Sequence, residues 1–224
     1  MAIAVVGPTA VGKTAIAVAL AQRLQTEIIS ADSRQIYCHM DIGTAKPSQA
    51  IRKEVPHHLV DILETTEVYS AGRFAGEARR IINEIAERGK LPLVVGGTLL
   101  YLRALRYGLA DLPGADSAIR ALLDKEATER GWPALHQRLK EVDPRAAARI
   151  APMDRQRIQR ALEVYEITGT PLSEQIEGRV GQDLPTDGLD LTTFALMPRD
   201  RGELGQRIEI RFDDMVKAGL IPEV

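Results

Sequence analysis

A run near the amino terminus, Gly7-Pro8-Thr9-Ala10-Val11-Gly12-Lys13-Thr14, satisfies the phosphate-loop pattern G-x-x-x-x-G-K-[ST]. Each fixed position has a physical task. Gly7 and Gly12 let the backbone curl until its N–H groups point inward. Those groups and the N-terminus of the next helix form an anion cradle. Lys13 adds positive charge over the phosphates, and Thr14 offers a hydroxyl to Mg²⁺. The pattern indicates a bound di- or triphosphate without saying which.

A second cluster of chemistry follows. The apolar run Glu27 to Ser30 ends at Asp32-Ser33, which places a carboxylate just beyond a strand end, where ligands bind in such folds. Asp32 suits a general base, a metal ligand or an Asx-turn residue opening the loop to Lys46. That loop, Ser33 to Lys46, is long and polar, as substrate-binding loops often are. Gly96-Gly97-Thr98 closes a third apolar run, Leu91 to Val95. It reads either as a tight turn or as a point of close ligand approach, with Thr98 donating a hydrogen bond. Arg207 and Arg211, four apart, have the spacing to reach a polyphosphate from one helix face, or to pair with Glu203, Glu209 or Asp214. No Asn-Lys-x-Asp element occurs, and the third run does not end in Asp. Both absences count against switch GTPases and motor ATPases.

The elements that must position these groups are legible. Ala2 to Val6 reads as a buried strand, and Ala15 to Leu24 as an alanine- and leucine-rich helix. Ser70 starts a helix that Gly89 stops near Arg88. The strand–helix alternation implies a parallel α/β sheet. From Pro113 to about Gly178 the pattern is helical, with start signals at Ser117, Pro133, Asp143-Pro144 and Asp154. Ile158, Leu162 and Tyr165 form its last buried stripe. From Arg145 to Arg160 five arginines stand against one acid, Asp154. A run of this kind is usually a solvated face, but the use of arginine in an acidic chain points to phosphate contact through Arg149, Arg157 and Arg160. A polar linker, Gly181 to Asp190, precedes a returning strand, Leu191 to Leu196, and a last helix from Arg201 to Ala218. The division is therefore a core over 1–112, a helical insertion over 113–180 and a core return over 190–224.

Composition sets the outer limits. The 224 residues are 45% hydrophobic and 27% charged, a globular profile, and the 4% aromatic content calls for an aliphatic core. The net charge of −2 means that any nucleic-acid binding must come from a local patch. One cysteine, Cys38, excludes an internal disulfide and points to a reducing compartment. No run is long enough for a transmembrane helix, and no basic leader opens the chain. A cytoplasmic location follows, with no membrane partner.

The chain resembles the bacterial tRNA dimethylallyltransferases, also called tRNA isopentenyltransferases. The phosphate loop carries the resemblance together with Asp32-Ser33-Arg34-Gln35-Ile36-Tyr37, Asp41-Ile42-Gly43-Thr44-Ala45-Lys46-Pro47 and Pro56-His57-His58. It continues through Gly96-Gly97-Thr98-Leu99-Leu100-Tyr101 and the run from Asp154 to Glu163, and so covers nearly the whole chain. It implies an α/β, P-loop NTPase-like parallel core with an inserted all-helical tRNA-binding domain. It also implies transfer of a dimethylallyl group from its diphosphate to N6 of the adenosine 3′ to the anticodon, with Mg²⁺ as cofactor. The resemblance makes Asp32 the base, puts Thr9 and Lys13 beside the reacting groups and Thr14 at the metal. It matches Asp32, Ser33, Arg34, Gln35, Thr98, Arg120, Gln156, Arg157, Ile158, Gln159 and Arg160 to tRNA contacts. Gly7 to Thr14, with Arg207 and Arg211 by spacing, would bind the diphosphate or a nucleotide such as ATP. The partners implied are the tRNA anticodon stem-loop and dimethylallyl diphosphate; the protein itself is expected to be a monomer. Family members continue into a further C-terminal stretch, which the resemblance places just beyond Val224. The competing readings are a P-loop small-molecule kinase and a non-catalytic P-loop RNA-binding fragment.

Overall fold

The computed structural model describes residues 1–108, 112–177 and 189–224. Five strands, β1 (Ala2–Val6), β2 (Ile28–Ala31), β3 (His57–His58), β4 (Leu93–Gly96) and β5 (Leu191–Ala195), form one sheet in the order β3-β2-β4-β1-β5. Every pairing is parallel, as the strand–helix alternation requires. The carboxyl ends of β1, β2 and β4 therefore share one edge, which brings Gly7, Asp32 and Gly97 together from distant parts of the chain.

Alternation along β1 shows why the sheet is covered on both faces. Ala2 and Ala4 pack with Phe74, Ala78, Ile81, Ile82 and Ile85 of helix α3 (Ala71–Glu87) and with Leu105 of α4 (Leu99–Tyr107). Ile3 and Val5 turn to the opposite face, against Ala17 and Ala21 of α1 (Lys13–Leu24). These two alanines are fully buried, so α1 lies close to the strands that feed it. The core is mainly aliphatic, with one aromatic cluster: Phe74 stacks on Tyr101 at 4.5 Å, and Tyr69 meets Tyr101 edge-on at 6.1 Å. At the amino end of β2, buried Glu27 accepts from His58 (2.8 Å), Arg88 (2.8 Å) and Lys90 (3.1 Å). Burial raises its pKa, but these partners outweigh burial and hold it at about 2.

Close approach fixes one glycine. A Cβ on Gly96 would run into the backbone of Ala31 on the neighbouring strand. The short helix α2 (Gln49–Glu54) and the two-residue β3 lie outside the sequence expectations, because neither is long enough to show a period.

The chain divides into two units, Met1–Gly108 with Pro185–Val224, and Leu109–Leu184. In the second unit every described element is a helix: α5 (Ser117–Arg130), α6 (Trp132–Val142), α7 (Pro144–Arg149), α8 (Arg155–Thr168) and α9 (Leu172–Glu177). Leu123, Leu135, Leu139, Ile158 and Leu162 form its core. Asp143 and Asp154 cap α7 and α8 through their side chains. The cap of α5 is Asp116, one residue before Ser117, because its carboxylate reaches both Ala118 N (2.9 Å) and Ile119 N (3.0 Å). Tyr165 is half-buried, and Ala161 and Val164 fill the stripe beside Ile158 and Leu162. The expected linker from Gly181 lies, up to residue 188, outside the described residues. After β5 come α10 (Arg201–Lys217) and a short helix, α11 (Leu220–Glu223).

Candidate active site

The phosphate loop has the backbone that its sequence demands. Gly7 has φ 153° and Gly12 φ 97°, both in the region that favours glycine, and Ala10 takes φ 62° between them. A Cβ on Gly7 would also strike the carbonyl of Leu196. Helix α1 starts at Lys13, two residues earlier than its apolar pattern suggests, because Gly12 supplies the N-cap. Lys13 Nζ donates to the Pro8 carbonyl at 2.8 Å, so the ammonium is folded over its own loop.

A cleft at the carboxyl edge of the sheet is lined by Thr9, Lys13 and Thr14 from the loop, Asp32 and Gln35 beyond β2, Thr44, Ala45 and Pro47, His57, and Arg211 from α10. Burial lowers the pKa of Lys13, the Asp32 carboxylate raises it, and the Arg211 guanidinium lowers it again. One carboxylate and two cations thus share one electrostatic environment. Burial also lowers the pKa of His57, against the hydrogen bond between its Nδ1 and Val55 O at 2.7 Å. The hydroxyl of Thr14 and the carboxylate of Asp32 are hard oxygen donors, the kind Mg²⁺ takes. Among the described residues no group of three or more His, Cys, Asp or Glu could hold an ion unaided.

Asp32 makes the Asx-type turn that its sequence allows. Its Oδ1 accepts from Arg34 N (2.9 Å) and Gln35 N (3.4 Å), an Asx-type turn that orients the side chain. Its Oδ2 makes no hydrogen bond among the described residues. Gln35 braces the next layer: Oε1 accepts from Ser30 Oγ at 3.2 Å, and Nε2 donates to the Thr44 and Ala45 carbonyls at 3.3 Å each. Thr98 is engaged within the protein. Its Oγ1 accepts from Ser33 N at 3.1 Å, which ties the turn after β4 to the residue after Asp32. Ser33 is half-buried and Arg34 exposed.

His57 in the cleft and Lys46 in the recess beside it were given no role by the sequence. The Lys46 side chain is 1% exposed, and its Nζ reaches Tyr37 O (2.8 Å), Asp41 Oδ1 (2.6 Å) and Asp61. Asp61 also pairs with Arg52 at 2.5 Å. Its place in the run Asp41 to Pro47 was the available signal, but the partners that bury it lie elsewhere in the sequence. Arg207 does not line the cleft with Arg211. It lines an adjoining recess with Ile42, Lys46 and Met215. Neither arginine forms an ion pair with Glu203, Glu209 or Asp214 among the described residues.

The matched residues of the helical unit divide by burial. Glu163 is fully buried in α8 and accepts from Arg120 (Nε 2.7 Å, Nη2 3.0 Å), Arg160 (2.7 Å) and the Asp116 N–H (2.9 Å). Arg160 also donates to Pro113 O at 2.7 Å. Burial raises the pKa of Glu163, but these donors prevail and hold it at about 2. Arg120 and Arg160 are therefore committed to a buried carboxylate. Ile158 is fully buried, and its side chain serves the helical core. Gln156 and Arg157 are exposed, with Arg157 3.5 Å from Asp154, and Gln159 donates to Asp124 at 2.7 Å.

The model of the IPP transferase family matches residues 35–224, and that of isopentenyl transferases matches residues 1–59. The chain belongs to the IPP transferase family. Within that family it is similar to the tRNA dimethylallyltransferase of Nitrosococcus oceani, 55% identical over 100% of this chain and 70% of the relative. The enzyme of the same name from Alkalilimnicola ehrlichii is 58% identical over 97% of this chain and 68% of the relative. Among solved structures, the full-length tRNA isopentenylpyrophosphate transferase of Bacillus halodurans has a TM-score of 0.62 at 42% identity, over 99% of this chain and 67% of that one. A eukaryotic dimethylallyltransferase described as acting on tRNA has a TM-score of 0.80 at 31% identity, over 100% and 54%. The P-loop-like α/β core expected for an IPP transferase is the fold observed.

Proposed function

We propose that the chain transfers a dimethylallyl group from dimethylallyl diphosphate to N6 of the adenosine 3′ to the tRNA anticodon, releasing diphosphate. The observation that carries this reading is the convergence of Asp32 with Lys13 and Arg211 in one cleft. The amine nitrogen forms a bond to the allylic carbon as the carbon–oxygen bond to diphosphate breaks. The departing electron pair stays on the diphosphate. Lys13, Arg211 and the inward N–H groups of the loop Gly7 to Thr14, with Thr9 beside them, offset its growing charge. Asp32 takes the amine proton through Oδ2, the oxygen its turn leaves unused. Arg207 contributes longer-range positive charge from the adjoining recess.

Thr14 would hold Mg²⁺, with substrate phosphates as further ligands. The ion would supply charge neutralisation at the leaving group. The acceptor base must leave its stack to enter a cleft of this kind. Ser33, Arg34, Gln35 and Thr98 surround its entry, while Gln156, Arg157 and Gln159 contact the stem-loop, Arg120 and Arg160 shaping that surface. The protein acts as a cytoplasmic monomer. No helix among the described residues is long and apolar enough to cross a membrane.

The test is incubation with labelled dimethylallyl diphosphate, Mg²⁺ and an anticodon stem-loop. Label is expected in the RNA at the adenosine. Phosphate transfer from ATP to a metabolite, with no label in RNA, would establish the kinase alternative. RNA binding without turnover would favour the non-catalytic one.

A further inference from the structure

Three consecutive backbone donors, the N–H groups of Asp41, Ile42 and Gly43, converge on a single carboxylate. Glu223 Oε2 accepts from Asp41 at 2.9 Å and Ile42 at 2.7 Å, and its Oε1 accepts from Gly43 at 2.8 Å. Burial pushes the pKa of Glu223 up, but these three bonds and the nearby Lys46 charge hold it below the usual carboxylate range.

Packing sets α11 against the same turn. A Cβ on Gly43 would lie 2.9 Å from Leu220 Cδ1 and 3.4 Å from Glu223 Oε1, so a larger residue there obliges the Leu220 side chain to shift. Lys46 holds the Asp41 side chain from within but offers nothing to the three N–H groups. Without Glu223 those donors lose their protein partner.

The turn leads directly into the cleft. Thr44, Ala45 and Pro47 form part of its wall. The Thr44 and Ala45 carbonyls receive Gln35 Nε2, and Gln35 N donates to Asp32 Oδ1. A continuous set of contacts thus runs from Glu223 to the proposed base.

We propose that Glu223 is a positioning residue, its carboxylate latching the Asp41–Gly43 turn so that residues 44–47 present a fixed wall to the diphosphate substrate. The substrate part of this inference rests on the transfer reaction proposed above. The latch itself does not.

The test pairs amide exchange with steady-state kinetics on Glu223→Ala, Glu223→Gln and Gly43→Ala. Loss of the charged acceptor should speed exchange at Asp41 to Gly43 by about tenfold in Glu223→Ala. The Gln variant, which keeps one acceptor oxygen, should fall between. KM for dimethylallyl diphosphate should rise about tenfold while kcat changes less than about threefold. Gly43→Ala crowds Leu220 and Glu223 from the other side of the same contact, so the double variant should be little worse than Glu223→Ala alone. Unchanged exchange at the turn, or a fall in kcat with KM preserved, would overturn the latch. Absence of transfer by the unmodified chain would instead reject the reaction, and the exchange data would still decide the latch.

Discussion

Thr98 Oγ1 accepts the backbone N–H of Ser33 at 3.1 Å, so the turn after one strand fixes the loop that follows another. Ser33 adjoins Asp32, and the bond therefore helps set where the proposed base points. Thr98→Val keeps the shape and removes the acceptor. We expect turnover to fall by about tenfold, the effect of losing one hydrogen bond at a half-buried donor, with diphosphate affinity unchanged. Equal losses in both would mean that Thr98 supports the cleft as a whole.

Asp32→Ala should separate chemistry from binding. Turnover is expected to drop by about 10²- to 10⁴-fold, the range for a general base. Calorimetric binding of diphosphate should change little, because the base acts on the amine and not on the leaving group. A collapse of diphosphate affinity would instead make Asp32 a metal ligand.

Glu163 makes stability depend on acid. Its folded pKa, about 2, lies below the ordinary carboxylate value of 4.5. A depressed pKa contributes stability above the unfolded value, lost as pH falls toward the folded one. That contribution is on the order of 3 kcal/mol, disappearing between about pH 4.5 and pH 2. Denaturant titrations at pH 7, 4 and 2.5 should show it, and Glu163→Gln should be weaker at pH 7 with a shallower acid dependence. Glu27 loses stability over the same window and will remain in the variant's profile.

Arg157 and Arg160 should part company. Arg157→Ala is expected to weaken stem-loop binding and reduce its salt slope by about one, with Tm unchanged. Arg160→Ala removes a partner from the buried Glu163 carboxylate and should lower Tm first. An unaltered salt slope in Arg157→Ala would mark that face as solvated only.

The phosphate loop was legible because its chemistry is local: the glycines, lysine and threonine act within one turn. The sheet was legible because each long strand announces itself by a short apolar run. Other features depend on partners that meet only after folding. Nothing near Lys46 shows that Asp61 and the Tyr37 carbonyl will bury it. Glu163 sits on the inward face of an amphipathic helix, where a charge looks misplaced until Arg120 arrives from another helix. The commitment of Thr98 to Ser33 was hidden for the same reason. The tie between Glu223 and residues 41–43 joins positions 180 or more residues apart, beyond the reach of any local pattern.

The position of β1 has a bearing on how the molecule assembles. It lies between β4 and β5, so Ala4 faces Val94 on one side and Thr193 on the other. An early strand thus has no partner nearby in sequence, and the sheet closes only after the intervening helices have been made. Loop closure of this span adds little to the equilibrium cost, since that cost grows logarithmically with length. It weighs on the rate instead, because long-range parallel pairing is slow. While β5 is awaited, one edge of β1 stands open to other chains, and crowding during synthesis is the condition under which this protein is most exposed to misassembly.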